Sequence, residues 1–364
     1  MINKVFLSGY WKKNLGDDLF VKTICQRYPN TNFFLETNSE NKNVFSMIKN
    51  LTIIDLNDDF TSRLKRKLLN PFRSFTNYYQ VAQNVPIYVE IGGSIFILSD
   101  ISNAKKDLKK RKRIREIAQK YFVIGSNFGP FINEKQLNDY SNFFKQTDGV
   151  VFRDIVSYNL FKDLGNIKIA PDAVLSLKHE VKKTDSNYIV VSIINLKNRD
   201  NITEDMVKVY EQNIIESCLY FLKNNKKVVL FGFCEYENDI EVMERILEKI
   251  PKELKVNILH YIHDDLRKSI DYLMEAELIL ATRFHAMILG WLYRKPTIVF
   301  SYSRKITDTI EYCYPEQYNV SIAKCEKLDT SILNDYSKLI IPETIRTDLI
   351  NKAENHFYYL DDIL

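Results

Sequence analysis

Short apolar runs alternate along the chain with longer segments in which apolar residues recur every three to four positions. Runs of strand length include 4–8, 33–35, 51–56, 86–91, 121–125 and 149–152, and then 188–194, 227–231, 256–259, 277–281 and 297–300. The helical period lies between them, most regularly at 203–223, 238–250, 266–274 and 287–293. Because strands that alternate with helices form parallel sheets, the pattern predicts an α/β protein.

The two series are separated by a short polar stretch, 182–187, which is the best candidate for a linker. A chain of 364 residues is long enough for two domains, each with its own core. We therefore predict two Rossmann-like domains that face a cleft, an N-terminal one at 1–181 and a C-terminal one at 188–335. The tail, 336–364, has a helical pattern and is expected to pack back on the first domain.

The composition is that of an ordinary soluble protein, with 45% hydrophobic and 27% charged residues, which excludes disordered and fibrous classes. The excess of 51 Lys and Arg over 47 Asp and Glu is only +4, so we expect no nucleic-acid partner. Five cysteines without a CxxC spacing predict a reducing compartment and no zinc or other metal site. Because the chain shows no leader-like start and no apolar run near ~18 residues, the expected location is cytoplasmic.

The most informative turn follows the apolar run 277–281, where the chain reads Thr282-Arg283-Phe284-His285. It joins the carboxyl end of a predicted strand to the amino end of a predicted helix, and ligands bind at such turns in open α/β sheets. The helix dipole favours an anion there, and a guanidinium beside an imidazole suits a phosphate or a carboxylate. The alternative is that Arg283 and His285 only cap a buried helix.

Glycines mark two further turns, and each carries information because the chain has only 10 of them. Gly92 and Gly93 directly follow the apolar run 86–91, which indicates close approach of a ligand or a tight turn. The loop 14–18, which reads Asn-Leu-Gly-Asp-Asp, follows the first strand and opens a helix. It lacks the GxGxxG spacing of a dinucleotide site, and its two aspartates are equally typical of helix N-capping.

Basic residues cluster in two predicted amphipathic segments, 63–73 and 105–115. Each basic residue held near an anionic leaflet contributes ~1 kcal/mol to membrane binding. The segments are therefore typical of solvated helix faces. The alternative is a surface that makes peripheral contact with the inner face of an anionic membrane.

Several of these segments, taken together and in order, resemble the polysaccharide pyruvyl transferase family. The resemblance spans residues 1–330, and the order of the segments makes it specific. They are the loop 14–18, the turn Gly92-Gly93-Ser94, 125–130, Arg153-Asp154 with Ser157, Pro171-Asp172-Ala173, Thr282-Arg283-Phe284-His285, Lys295-Pro296 and 302–305.

The resemblance implies a GT-B-like fold and an enzyme that transfers the pyruvyl group of phosphoenolpyruvate to two hydroxyls of a sugar. The product is a pyruvate ketal in a cell-surface polysaccharide or its lipid-linked precursor, phosphate is released, and no cofactor is needed besides this donor. Catalytic roles are implied for Arg283 and His285 of the Arg-x-His motif. Asp172 and Asp154 are the carboxylates whose chemistry would let them orient the imidazole or take a proton. The donor would bind to the C-terminal domain and the acceptor to the N-terminal one.

Substrate contacts are expected from the matching turns and from the cations near them. These residues are Asn14, Gly16, Asp17, Gly92, Gly93, Ser94, Arg153, Lys197, Arg199, Tyr302 and Lys305. Family members often have an arginine at the end of the strand that opens the second domain, and the candidates for that charge here are Lys197 and Arg199. Asp154, in contrast, is equally typical of an Arg–Asp pair or a helix cap.

Two other functions fit parts of the pattern. A glycosyltransferase of the same architecture would use a nucleotide-sugar donor, with Arg283 and Lys305 on the diphosphate. A non-catalytic sugar-binding protein would leave the arginine and histidine residues of the turn unexplained. Comparing phosphate release from phosphoenolpyruvate with nucleotide release from sugar nucleotides separates the three.

Overall fold

The computed structural model describes residues 3–55, 81–82, 84–178, 186–197 and 199–364. The chain forms two compact units. The first unit comprises Met1–Lys12, Asp17–Lys178 and Asn351–Leu364, and the second comprises Lys13–Gly16 and His179–Ile350. The basic segment 63–73 and most of the linker candidate 182–187 lie outside the described residues.

The first unit is built on a seven-stranded sheet in the order β3-β2-β1-β4-β5-β6-β7, with every pair parallel. All five residues of the central β4 are buried, as expected of a parallel strand covered on both faces. The strands are β1 (Lys4–Ser8), β2 (Asn32–Thr37), β3 (Leu51–Asp55), β4 (Ile87–Ile91), β5 (Lys120–Ser126), β6 (Gly149–Phe152) and β7 (Ile167–Ile169).

Helices of the first unit begin at identifiable caps. Asp100, Asn133 and Asp154 each accept a hydrogen bond from the backbone N–H three residues later, as N-cap side chains do. The helices are α1 (Leu15–Arg27), α2 (Ile101–Ile117), α3 (Glu134–Phe144) and α4 (Ile155–Phe161). Aromatic rings fill the core beneath α3, where Phe144 packs edge-on against Phe96 and Phe161 at centroid distances of 5.3 and 5.0 Å.

The second unit is built on a six-stranded parallel sheet in the order β10-β9-β8-β11-β12-β13. Every residue of β11 and β12 is buried. The strands are β8 (Tyr188–Ile193), β9 (Lys227–Gly232), β10 (Ile258–Ile262), β11 (Leu278–Ala281), β12 (Thr297–Ser301) and β13 (Asn319–Ser321).

The helices of the second unit follow the pattern expected from the sequence, with one shift that matters for the site. They are α5 (Glu204–Lys223), α6 (Asp239–Lys249), α7 (Leu266–Glu275), α8 (Phe284–Leu292) and α9 (Arg304–Cys313). The helix predicted at 287–293 begins earlier, because the Ala286 N–H already donates to the Arg283 carbonyl. All nine residues of α8 are buried, including His285.

The chain ends in two further helices, α10 (Glu343–Ala353) and α11 (Tyr358–Asp361). Residues Asn351–Leu364 belong to the first unit, where the carboxylate of Asp361 accepts hydrogen bonds from Arg27 and Tyr28 at 2.9 and 2.7 Å. Among the described residues, no helix is both long enough and apolar enough to cross a membrane.

Each sheet contains the point at which ligands bind in open α/β folds. The strand order runs 3-2-1-4 in both units, so the direction of winding reverses between β1 and β4 in the first and between β8 and β11 in the second. Loops leave the sheet on opposite sides at such a reversal, and a crevice opens at the carboxyl ends of the two strands. The turns singled out by sequence, at Gly92 and at Arg283, follow β4 and β11 directly.

Candidate active site

Arg283 spans the reversal point of the second sheet. Its backbone N–H donates to the Ser192 hydroxyl over 3.2 Å, and its Nε donates to the Ile193 carbonyl over 3.3 Å. Both partners lie at the end of β8, whereas Arg283 follows β11 and is the N-cap of α8. The residue is buried, with 8% of its surface exposed, so its side chain is part of the floor of the crevice in this unit.

Two carboxylates hold the guanidinium of Arg283. Nη1 donates to Glu237 Oε2 and Nη2 donates to Asp239 Oδ1, each over 2.5 Å. Burial would lower the pKa of Arg283, but the two carboxylates outweigh it and the pKa is raised. With Nε on the Ile193 carbonyl as well, all three guanidinium nitrogens contact groups of the second unit.

Glu237 joins Arg283 to two other predicted site residues. Its Oε2 also accepts from Nη2 of Arg199 over 2.5 Å, and its Oε1 accepts from Nδ2 of Asn14 over 3.2 Å. Burial alone would raise the pKa of Glu237, but Arg283 and Arg199 overcome it and the pKa is lowered. With Asp239, the two guanidinium charges are balanced by two carboxylate charges.

His285 is the second residue of α8, and its ring packs against the chain's first loop. A Cβ at Gly16 would overlap Nδ1 of the imidazole, so the two are in direct contact. Gly16 is held there because its N–H donates to the Asn14 side chain over 3.1 Å and the Leu15 N–H donates to the Phe233 carbonyl over 3.0 Å. The segment Lys13–Gly16 therefore forms one wall around His285 in the second unit.

The remaining predicted residues of this unit lie at the ends of β8 and β12. The centre of the Tyr302 ring lies 5.9 Å from the guanidinium carbon of Arg199, and burial raises the pKa of Tyr302. Lys305 places its ammonium 4.3 Å from the centre of the Phe284 ring, a cation–π contact. Lys197 is exposed, and its backbone N–H donates to Asn195 Oδ1. Of the two candidates for the strand-end charge, Arg199 is therefore the one in the ion-pair cluster.

In the first unit, Arg153 follows β6 and joins the loops that follow β4, β5 and β7. Nη1 donates to Asp172 Oδ2 and Nη2 to Asn127 Oδ1, both over 2.9 Å. The side chains of Arg153 and Asp172 are only 3% and 1% exposed, so the pair is buried. A Cβ at Gly93 would overlap the guanidinium, which explains why a glycine stands there.

The turn Gly92-Gly93-Ser94 is tied to the end of β5. The Gly93 carbonyl accepts from the Asn127 N–H over 2.9 Å and from the Ser126 hydroxyl over 3.1 Å, and the Ser94 hydroxyl donates to Asn127 Oδ1 over 3.1 Å. Gly92 has φ +146°, a conformation that side chains disfavour. A Cβ there would also lie 3.7 Å from the Asp17 carboxylate, so Asp17 borders this turn.

Asp154 and Asp172 of the first unit differ in role. Asp154 is the N-cap of α4 and accepts from the N–H and the hydroxyl of Ser157 at 2.8 and 2.7 Å. Asp172 pairs with Arg153 and also accepts the Val174 N–H over 3.0 Å. Of the alternatives for Asp154, the structure shows the helix cap.

Sequence reasoning missed three residues that hold these arrangements together: Glu237, Asp239 and Asn127. Glu237 and Asp239 follow β9 in the run Glu235-Tyr236-Glu237-Asn238-Asp239, and their position after a buried strand was the available signal. In the part of the chain that the structure describes, no three His, Cys, Asp or Glu side chains converge as a metal site requires.

Several solved structures share the fold of this chain. Anabaena HepE in complex with UDP and glucose shares the fold at a TM-score of 0.58 and 11% identity, over 99% of this chain and 97% of that one. UDP-GlcNAc 2-epimerase from Methanocaldococcus jannaschii gives 0.59 and 12% over both complete chains. The enzyme of the same name from Neisseria meningitidis, bound to UDP-GlcNAc, gives 0.60 and 9%, over 99% of this chain and 100% of that one.

The chain thus has the two-domain parallel α/β architecture of GT-B-type glycosyltransferases and related epimerases. The chain belongs to the polysaccharide pyruvyl transferase family, whose model matches residues 14–304. The match covers the loop 14–18, the Gly92 turn, Arg153, Asp172 and the Arg283 turn. The protein is therefore a transferase of polysaccharide biosynthesis.

Proposed function

We propose that the chain transfers the pyruvyl group of phosphoenolpyruvate to two hydroxyls of one sugar, in a cell-surface polysaccharide or its lipid-linked precursor. The product is a cyclic pyruvate ketal, and inorganic phosphate is released. The observation that supports this most is the family match over residues 14–304, which includes an arginine and a histidine at the reversal point of the second sheet.

The proposed reaction needs one proton donor and one proton acceptor. A proton adds to the methylene carbon of phosphoenolpyruvate, and the first sugar hydroxyl attacks the neighbouring carbon and loses its proton. The bond from that carbon to the phosphate oxygen then breaks, and the second hydroxyl attacks and loses its proton. Of the two protons released, one restores the acid and one leaves with phosphate.

His285 is the proposed acid and base, since a histidine can exchange protons near neutral pH. It lies two residues from Arg283 at the start of a helix, where the dipole favours the negative charge of the donor. Because Arg283 is balanced by Glu237 and Asp239, its proposed part is to keep a fixed fork of N–H groups at the crevice floor, not to supply a surplus charge.

Positive charge for the donor's phosphate and carboxylate is proposed to come from Lys305 and from the starts of α8 and α9. Neither start is capped by its own N-cap side chain, Arg283 or Ser303. Asp172, held by Arg153, lies in the first unit, which is proposed to bind the acceptor sugar. Phosphoenolpyruvate is the proposed donor, and no further cofactor is invoked.

Titration calorimetry with phosphoenolpyruvate and with UDP-glucose tests which donor the protein binds, and it does not require the acceptor to be known. We expect wild-type protein to bind phosphoenolpyruvate and an Arg283→Ala, Lys305→Ala variant to lose that binding. A Lys208→Ala variant is the control, because Lys208 is an exposed residue of α5. Binding of UDP-glucose with no response to phosphoenolpyruvate would instead support a glycosyltransferase, the activity suggested by neighbours solved with UDP and UDP-GlcNAc.

A further inference from the structure

Four exposed apolar side chains form a patch on the first unit. They are Ile97, Ile101, Phe131 and Ile132, which are 53%, 45%, 37% and 52% exposed. They lie in or beside the two loops that precede α2 and α3, and backbone contacts join these loops. We call these four residues the apolar patch.

The joining contacts are direct. The Leu98 N–H donates to the Pro130 carbonyl over 2.8 Å, and Nε2 of Gln136 donates to the Leu98 carbonyl over 2.9 Å. The same Gln136 accepts the Ile132 N–H over 2.7 Å through its side-chain oxygen. The two loops therefore present their apolar side chains on one surface.

Lysines border the apolar patch along α2. Lys105, Lys106, Lys109 and Lys112 are exposed, and Lys105 lines a groove of about 230 Å³ between α2 and α3 together with Ile101. Lys135 of α3 lines the same groove. α2 carries only two exposed carboxylates, Asp107 and Glu116, against its four exposed lysines. Asp100 is the N-cap of α2, and Glu134 and Asp139 belong to α3 on the other side of the groove, so the surplus of positive charge runs along α2 itself.

Size and charge together indicate the kind of partner. A stable protein interface buries about 800 Å² on each side, more than four partly exposed side chains can offer. A bilayer surface needs only a few inserted apolar side chains, supplemented by about fivefold in binding for each lysine near anionic lipid. We propose that the apolar patch and the α2 lysines bind the surface of an anionic lipid membrane.

This proposal does not depend on the donor. An acceptor carried on a lipid would be concentrated at such a surface, but the contact itself concerns only the bilayer. The binding assay can therefore succeed or fail independently of the assay for pyruvyl transfer.

Flotation of the full chain with lipid vesicles tests the proposal. We expect the protein to float with vesicles of phosphatidylcholine and phosphatidylglycerol, to remain unbound with phosphatidylcholine alone, and to be released as salt screens the charges. Absence of binding to the anionic vesicles at low salt would overturn the proposal.

Two variants locate the contact. Lys105→Glu with Lys109→Glu should lower binding at least about tenfold, and Ile101→Ser with Ile132→Ser should lower it comparably. The matched controls in the second unit are Lys208→Glu and Val256→Ser, since Val256 is 83% exposed. Unchanged melting temperatures confirm folding. Wild-type binding by both patch variants would overturn the assignment to this surface.

Discussion

The backbone of Gly16 lies directly against the imidazole ring of His285. Gly16 is the second residue of α1, a position where alanine would normally stabilise a helix by ~1 kcal/mol relative to glycine. A Cβ there, however, would overlap Nδ1. For a Gly16→Ala substitution, helix propensity alone predicts a more stable helix, whereas the overlap with the imidazole predicts a displaced ring.

We expect the overlap to outweigh the gain in helix propensity, so that Gly16→Ala displaces the imidazole ring of His285. A shift of about 1 Å in a catalytic group can lower turnover about 10²-fold. The measurement is kcat for pyruvyl transfer, with Lys12→Ala as the control because Lys12 is an exposed residue of the same loop. Wild-type turnover in Gly16→Ala would show that the position of His285 does not limit the reaction.

Substitutions of Arg283 and of His285 should change different kinetic constants. His285→Asn removes proton transfer and is expected to lower kcat ~10²–10⁴-fold while binding of phosphoenolpyruvate stays near wild type. Arg283→Lys keeps one charge but loses the fork that contacts Glu237 and Asp239 together. It should raise KM and also lower the melting temperature, because a single ammonium group cannot contact Glu237 and the buried Asp239 as the guanidinium does.

Steady-state kinetics and thermal melting of His285→Asn and Arg283→Lys measure these separate effects on kcat, KM and stability. Lys208→Arg is the control, because it changes a basic residue outside the site and leaves the ion pairs of Arg283 intact. Near-normal turnover by a folded His285→Asn protein would remove His285 as the acid or base and make Asp172 the next residue to test.

His356 predicts a pH dependence of stability in the first unit. It is 1% exposed, its Nε2 contacts the Pro171 carbonyl over 2.7 Å, and burial lowers its pKa to about 4. Between this pKa and the unfolded value of ~6.5, the unfolded chain binds more protons, so stability falls as pH drops through that window. The shift corresponds to roughly 3 kcal/mol of unfolding free energy.

Urea unfolding at several pH values measures the effect. A His356→Gln variant, whose amide can still donate a hydrogen bond, should show a flatter dependence between about pH 6.5 and 4. His260→Gln is the control, because His260 is exposed on β10. An unchanged slope in His356→Gln would assign the acid sensitivity to other groups.

The alternation of strands and helices was enough to predict both parallel sheets, because buried parallel strands are continuous apolar runs bounded by polar turns. The same alternation predicted the bounds of the edge strand β10 in the second sheet less well. The strand predicted at 256–259 is Ile258–Ile262 in the structure, since the 3₁₀ turn Lys252–Asn257 precedes it and leaves Val256 exposed. On an edge strand with exposed positions such as Leu259, apolar residues do not mark the ends.

For the site, the sequence predicted which turns carry function but not how their charges are paired. Arg283 was recognisable because it follows a buried strand. Its partners Glu237 and Asp239 lie more than 40 positions earlier, after β9, and no local spacing connects them to the turn. The contact of Gly16 with His285 joins residues still farther apart and depends on the fold alone.

Arg111 helps to fix which face of α2 is buried. Unlike the neighbouring lysines it points inward, where its guanidinium contacts both carboxylate oxygens of Glu90, the Tyr140 hydroxyl and the Ile95 carbonyl. Rotation of the helix by one residue, about 100°, would withdraw this arginine and leave Glu90 buried without its counter-charge. Together with the buried Ala104, Leu108 and Ile114, this inward arginine fixes the rotation of α2 about its axis, which keeps Lys105, Lys106, Lys109 and Lys112 on the exposed surface.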